Sequence, residues 1–183
     1  MQFPVFIELD GRTCLVVGGG DVAARKATTL AEFGADVVVV APRVSEVLRT
    51  ETFDVRERRF EPSDLDGVSL VVAATDDAAT NARVSRLCRE KGIPVNVADD
   101  PEHCTFTFGA LFRKGSIIAA VSSGGTCPVA AQMVRDRLAK GVSDGFAEDA
   151  ARLGAAREEL KRRFPDPADR KAFYKRELEK WND

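Results

Sequence analysis

The chain has 183 residues, room for one packed core with an appendage and for no second large module. Hydrophobic residues make up 44% and charged residues 31%, which excludes a disordered or low-complexity chain. With 27 Lys and Arg against 29 Asp and Glu, the net charge of -2 excludes a chain-wide attraction to nucleic acid or anionic lipid and leaves only local basic patches open.

The opening residues, Met1 to Glu8, lack a basic leader and soon meet an acid, so no signal peptide is expected and a cytoplasmic location is. Residues 13–17 form a short β-rich run that ends in Gly18-Gly19-Gly20. Asp21 then opens a segment with apolar residues at Val22, Ala23, Ala27, Leu30 and Phe33, which reads as strand, tight turn and helix. Gly34 stops the helix. Residues 36–41 follow as a β-branched run without a polar face, as a parallel strand covered on both sides requires. Further along, residues 54–60 read as an edge strand, 68–74 as a buried strand, 77–90 as a helix with Val84 and Leu87 inward, and 93–97 as another strand. The longest apolar runs, residues 37–41 and 70–74, are far short of the ~20 needed to span a bilayer, so no membrane segment is expected.

After Pro101 the pattern changes. Residues 105–108 and 116–121 read as two strands flanking the turn Arg113-Lys114-Gly115, and Ser122-Ser-Gly-Gly-Thr-Cys-Pro128 leads into an amphipathic helix with Val129, Met133, Val134 and Leu138 on one face. From Ser143 onward the chain reads as helical, broken at Pro165 and Pro167. The expected fold class is α/β, a Rossmann-like and mainly parallel sheet with right-handed crossovers, carrying a small hairpin-plus-helix module and a helical C-terminal region. The expected boundaries are 1–110, 111–142 and 143–183. Cys14, Cys88, Cys104 and Cys127 lie far apart without a CxxC pair, and the single His103 builds no zinc site with them, so reduced thiols and no bound metal are expected.

Gly18-Gly19-Gly20-Asp21-Val22-Ala23 fits GxGxxA. The first glycine permits the turn, the second lets backbone approach a pyrophosphate, and the small sixth residue lets helix pack on strand, while the helix N-terminus suits phosphate. The alternative is a merely tight βα turn. The acid expected at the end of the second strand is missing: Ala41-Pro42-Arg43 stands there, and Arg43 either holds a 2′-phosphate, favouring NADP, or caps a solvated loop. Thr75 and Asp76 fall at the carboxyl edge of the sheet, where ligands of open α/β folds lie; the plainer role there is an N-cap, by Asp76 or Asp77, for the helix that follows. Asp99 and Asp100 lie just past another strand end. They suit a carboxylate facing a substrate, or a simple Asp-Pro turn.

Phe3-Pro-Val-Phe6, the run from Val17 to Ala23, Arg25-Lys26, Ala74-Thr-Asp-Asp77, Asn96-Val-Ala-Asp99 and Ala120-Val-Ser-Ser-Gly-Gly-Thr-Cys-Pro128 occur in this order over about residues 1–140. Together they resemble the precorrin-2 dehydrogenase family, the amino-terminal part of sirohaem synthase and its free-standing relatives. The resemblance implies NAD-dependent oxidation of the tetrapyrrole precorrin-2 to sirohydrochlorin, on the route to sirohaem and in some organisms cobalamin. It also implies a homodimer joined through the hairpin and helix after residue 110. By motif, Gly18, Gly20, Asp21 and Val22 would hold the dinucleotide, Pro42 and Arg43 would lie by its adenosine end, Thr75 and Asp76 would approach its middle, and Asp99 would be the catalytic aspartate. Since the family uses NAD, the resemblance makes Arg43 an ordinary loop residue. No room is expected for the methyltransferase module of the fused enzymes, so a separate protein would supply precorrin-2.

Ser123, Gly124 and Thr126 would form a donor-rich loop near the substrate, the alternative being a helix cap by Thr126. Ser123 also occupies a position that is phosphorylated in fused relatives. Because the substrate is a polycarboxylate, Arg113, Lys114, Arg135, Arg137 and Lys140 are candidates to receive it, or else solvated charges. Some relatives also insert Fe²⁺, which carries forward Fe²⁺ or Co²⁺ as a second substrate, with His103 near Asp99. Two rivals remain: an NAD(H)-binding sensor without catalysis, which leaves Asp99 and the Ser-Ser-Gly-Gly loop without a task, and a dehydrogenase of another small substrate, which needs no basic second module.

Overall fold

The computed structural model describes residues 2–181, and the chain divides into two compact units between residues 107 and 108. In the first unit, β1 (Thr13–Val17), α1 (Asp21–Glu32), β2 (Asp36–Val40), the short α2 (Glu46–Thr50), β3 (Asp54–Arg56), β4 (Leu70–Ala73), α3 (Ala78–Lys91) and β5 (Val95–Val97) follow one another. All five strands are parallel, in the order β3-β2-β1-β4-β5. The apolar runs explain this arrangement. Leu15, Val16, Val39, Val40, Val71, Val72 and Val95 are fully buried, and parallel strands covered on both faces cannot carry an alternating polar side.

The register sets the strand ends level. Val17 lies beside Val40 and Ala73, and Ala73 beside Val97, so the loops that follow β1, β2, β4 and β5 share one edge. The chain leaves β1 toward β2 on one side and returns through β4 on the other. That reversal opens a crevice beyond the carboxyl ends of β1 and β4, the place where open α/β sheets bind ligands.

The edge strand expected over 54–60 is only three residues long. The Arg58 guanidinium makes a two-pronged ion pair with Asp64, whose side chain is 2% exposed and also accepts from the Glu61 N–H at 2.8 Å, and this bend carries Phe60 into the core. The paired Arg58 holds the Asp64 carboxyl below its ordinary range. A second departure lies at residues 105–108. Thr105 runs along the outer edge of β5, its N–H donating to Val95 O at 2.8 Å and its hydroxyl accepting from Val95 N at 2.8 Å, and no ladder forms.

The second unit opens with an antiparallel hairpin, β6 (Ala110–Lys114) and β7 (Ile117–Val121), which turns at Gly115 with φ +57°. Helix α4 (Pro128–Lys140) packs on this hairpin. Ala131 is buried there, and the Arg135 guanidinium donates to Leu111 O at 3.2 Å. Val129, Met133, Val134 and Leu138 remain exposed. Helices α5 (Asp144–Ala155), α6 (Arg157–Arg163) and α7 (Pro167–Glu179) complete the unit; Asp166 caps α7, and Pro167 opens it at the position where a missing N–H costs nothing. Asp149 on α5 accepts from Arg152, Lys180 and the Trp181 indole, which join it to the end of α7 and hold its carboxyl far below the ordinary range. Among the described residues no helix is long and apolar enough to cross a membrane.

Candidate dinucleotide and catalytic site

Three consecutive glycines do three different jobs. Gly18 has φ +137°, and a Cβ there would lie 2.2 Å from Ala74 O, so the turn after β1 is pressed against the loop after β4. A Cβ on Gly19 would lie 1.8 Å from Arg43 O, and Gly19 O accepts from Ser45 N at 2.7 Å, which locks the same turn to the loop after β2. Gly20, the N-cap of α1, has ordinary φ, and a Cβ there would meet nothing within 4 Å, while Ala23 one turn on is fully buried beneath the helix. The bare backbone of Gly20 therefore borders open space at the start of a 12-residue helix whose first N–H groups, those of Asp21 and Val22, lie at its positive end. Beside it, the Ser45 hydroxyl is buried and has no hydrogen-bond partner among the described residues. An open cradle and an orphaned hydroxyl at the crevice of a parallel sheet fit a dinucleotide.

The remaining candidates of this unit lie on the same edge. Pro42 and Arg43 are exposed just past β2. Thr75 is tied into its loop: its hydroxyl donates to the buried Asn81 side chain at 2.7 Å, and the Asn81 amide donates to Thr75 O at 3.0 Å. Asp77, not Asp76, caps α3, accepting from Ala79 N at 3.1 Å and from the Thr80 hydroxyl at 2.6 Å, contacts that hold its carboxyl below the usual range. Asp76 is thus left exposed at the mouth of the crevice.

Asp99 lies two residues beyond β5. It is exposed and has φ +58°, the only described non-glycine residue in the left-handed region. A short polar side chain tolerates that conformation, and such strain gathers at functional sites. Two strand spacings separate β1 from β5, which puts the glycine turn and the Asp99 turn roughly 10 Å apart along one edge. Lys26 of α1 is half-buried; burial and then Arg25 pull its ammonium below the ordinary lysine range, and Cys104 and Asp99, both within electrostatic reach, oppose that shift. His103 is engaged by Asp100, Nδ1 to Oδ2 at 2.7 Å, and among the described residues no cluster of three metal-ligating side chains occurs.

In the second unit the Ser-Ser-Gly-Gly-Thr loop is held by its own atoms. The Ser123 hydroxyl accepts from Cys127 N at 3.0 Å, and the Thr126 hydroxyl donates back to Ser123 O at 2.7 Å. Thr126 therefore does not cap α4; Cys127 occupies the N-cap position without a side-chain bond. Gly124 and Gly125 take φ of +66° and +85°, which leaves the loop tip exposed. Of the five basic candidates, Arg113 is exposed on β6, Lys114 is paired with Asp144 and bonded to Val142 O, Arg135 is bonded to Leu111 O and paired with Asp136, and Arg137 and Lys140 are exposed on the last turn of α4.

Gly19, Lys26 and Asn81 were given no site role by the sequence. Gly19 sits in the glycine run, Lys26 in the Arg25-Lys26 pair and Asn81 on the inner side of a helix, where a buried amide was the available signal.

A family model described as putative NAD(P)-binding matches residues 5–110. The chain is 43% identical over 175 residues to the siroheme synthase of Methylobacillus flagellatus and 42% identical over 175 residues to that of Azotobacter vinelandii, covering 93% of this chain and 38% of each relative. It thus spans under two-fifths of the length of these curated relatives. Among solved structures, SirC, a precorrin-2 dehydrogenase, superposes with a TM-score of 0.69 at 25% identity over 98% of both chains. The glycine cradle and the level strand ends agree with the family match: the chain belongs to the putative NAD(P)-binding family.

Proposed function

We propose that this chain oxidises precorrin-2 to sirohydrochlorin with NAD as the oxidant. The observation that carries the reading is the shared edge, which presents a phosphate cradle after β1 and a left-handed aspartate after β5. The names of the relatives support it. Gly18, Gly20, Asp21 and Val22 would hold the pyrophosphate, Pro42 and Arg43 would lie against the adenosine ribose with Ser45 nearby, and Thr75 and Asp76 would line the passage toward the nicotinamide. When bound, NAD supplies a hydride acceptor at nicotinamide C4.

The chain's own chemistry is then proton handling. Removing two hydrogens from precorrin-2 sends one away as hydride and releases the other as a proton, and Asp99 is the carboxylate that takes it up or orients a pyrrole N–H. Lys26 lies within electrostatic reach of that carboxylate. Arg137 and Lys140, together with Ser123, Gly124 and Thr126, are the candidates for the substrate's carboxylates. Second copies of the chain associate through α4, whose exposed Val129, Met133, Val134 and Leu138 form an apolar side with no covering element in the described chain.

The test is an anaerobic assay with enzymatically made precorrin-2, following sirohydrochlorin absorbance with NAD, with NADP and with no cofactor. NAD should give the faster rate. Asp99→Asn should slow turnover by about 10² to 10⁴ and leave dinucleotide affinity unchanged. A full rate in that variant would remove Asp99 from the mechanism. Fe²⁺ or Co²⁺ added after oxidation tests metal insertion as a second activity, read as the metallated macrocycle.

A further inference from the structure

The parallel sheet ends at β5, so the N–H groups on its outer edge have no neighbouring strand. Unpaired edge amides are costly when covered. Val95 N finds the Thr105 hydroxyl at 2.8 Å, and Val97 N finds the Cys104 sulfur at 3.1 Å. The same sulfur lies 3.4 Å from the Asn96 amide nitrogen, 3.3 Å from Val97 O and 3.2 Å from Asp100 O. A thiol has one proton to donate and lone pairs to accept with. It accepts from Val97 N and the Asn96 amide, and its proton is shared between the carbonyls of Val97 and Asp100.

These contacts bracket Asp99. Sγ is joined to the residue that ends β5 and to the residue just after Asp99, so the two residues between them, Ala98 and Asp99, must close into a tight turn, and the left-handed φ of Asp99 is how they close. Beyond the turn the chain is pinned as well: the Ser85 hydroxyl donates to His103 O at 2.6 Å, Arg89 donates to Glu102 O at 2.9 Å, and Asp100 accepts from the His103 N–H. The one other bond across the turn runs from Asp100 N to Val97 O and is long, at 3.4 Å. Cys104 is therefore the tightest bracket of the segment that presents the aspartate.

We propose that Cys104 is a positioning residue whose thiol, bonded to Val97 and Asp100, holds the Asp99 carboxylate in its working orientation. This rests on Asp99 being the acid–base group of the dehydrogenase, so the experiment includes a readout that needs no turnover. Amide exchange is measured in the wild type, Cys104→Ala and Cys104→Ser, alongside kcat and KM for precorrin-2 and the Kd of NAD. In Cys104→Ala the Val97 amide should exchange about tenfold faster, while Val95, bonded to Thr105, keeps its protection. Turnover should fall about tenfold in kcat, with KM and the NAD Kd within about threefold of wild type. Cys104→Ser, which keeps a donor and an acceptor, should recover most of both effects.

Unchanged Val97 exchange in Cys104→Ala would overturn the proposal, as would a full kcat in that variant or a serine variant no better than alanine, since the last would mean that volume alone matters. A wild-type enzyme inert toward precorrin-2 would instead overturn the dehydrogenase reading. The Val97 amide would then still decide whether the thiol holds the turn.

Discussion

Gly18, Gly19 and Gly20 are adjacent and chemically identical, yet replacing each should fail for a different reason. At Gly20 an added side chain meets only open space in the folded chain and φ is ordinary, so the fold has no reason to object. The same side chain fills the place where a pyrophosphate must approach backbone. Gly20→Val should therefore leave the thermal midpoint within about 2 °C of wild type and abolish NAD binding by calorimetry. Unchanged affinity would mean that the phosphates lie elsewhere. Gly19→Ala should do the opposite to the fold: its Cβ would sit 1.8 Å from the Arg43 carbonyl, so the loops after β1 and β2 must separate, at a cost on the order of 2 kcal/mol or more seen as a lower urea midpoint. The GxGxxA spacing made Gly18, Gly20 and Ala23 legible in the sequence, because it encodes a local turn and a local packing contact. The need for glycine at 19 was not legible, since it comes from the carbonyl of Arg43, in a loop beyond the next strand. Asn81 and Cys104 were hidden for a different reason: their partners, Thr75 for the first and Val97 and Asp100 for the second, lie within seven residues, but a buried amide and a thiol leave no periodic mark in the sequence.

At the scale of the element, the apolar β-branched runs gave the strands of the sheet away, because burial on both faces leaves a signature that needs no partner to read. The stretch 105–108 misled because alternation of Thr and Phe satisfies the strand pattern, while the structure uses the Thr105 and Cys104 side chains, in place of a ladder, to satisfy the edge of β5. Burial of whole elements also has a titration consequence. Cys14 in β1 and Cys88 in α3 are fully buried, and burial, reinforced at Cys14 by the Asp36 charge, pushes both thiols up to about 11 from an ordinary 9.0. A folded-state pKa above the unfolded one means that the folded chain holds protons the unfolded chain would release. The resulting stability is complete below pH 9 and drains away between pH 9 and about 11, on the order of 2 to 3 kcal/mol for each thiol at most. The urea midpoint should therefore drop between about pH 8 and about pH 10.5, and Cys88→Ala, less stable throughout because of the cavity it leaves, should show a shallower drop. An equal slope in the variant would show that the alkaline loss comes from other groups. Below pH 9 a thiol reagent should label exposed Cys127 first and leave Cys14 and Cys88 until the chain unfolds.

For the whole molecule, the informative surface is the outer side of α4. The helix buries Ala131 against its hairpin and leaves Val129, Met133, Val134 and Leu138 between 43% and 63% exposed, an arrangement that a chain acting alone has little reason to keep. Its periodicity was plain in the sequence; which side would face the hairpin was not, because two apolar sides compete and small Ala131 allows the closer approach. A twofold pairing of α4 with its copy would present each row of side chains to the same row of the partner, so a single charge introduced there is met by its own like charge across the axis. Met133→Glu combined with Leu138→Glu would bury four carboxylates per dimer without partners, at several kcal/mol each, well beyond what an interface of ordinary affinity can absorb. Sedimentation should find the wild type at twice the chain mass and the double variant at the chain mass, with the same thermal midpoint for the first unit, whose core contains none of these residues. A double variant that stays dimeric would move the interface elsewhere, and a monomeric wild type would remove it. The dissociated variant should also keep NAD affinity, since Gly18, Gly20, Asp21 and Val22 belong to the unit that the substitutions leave untouched.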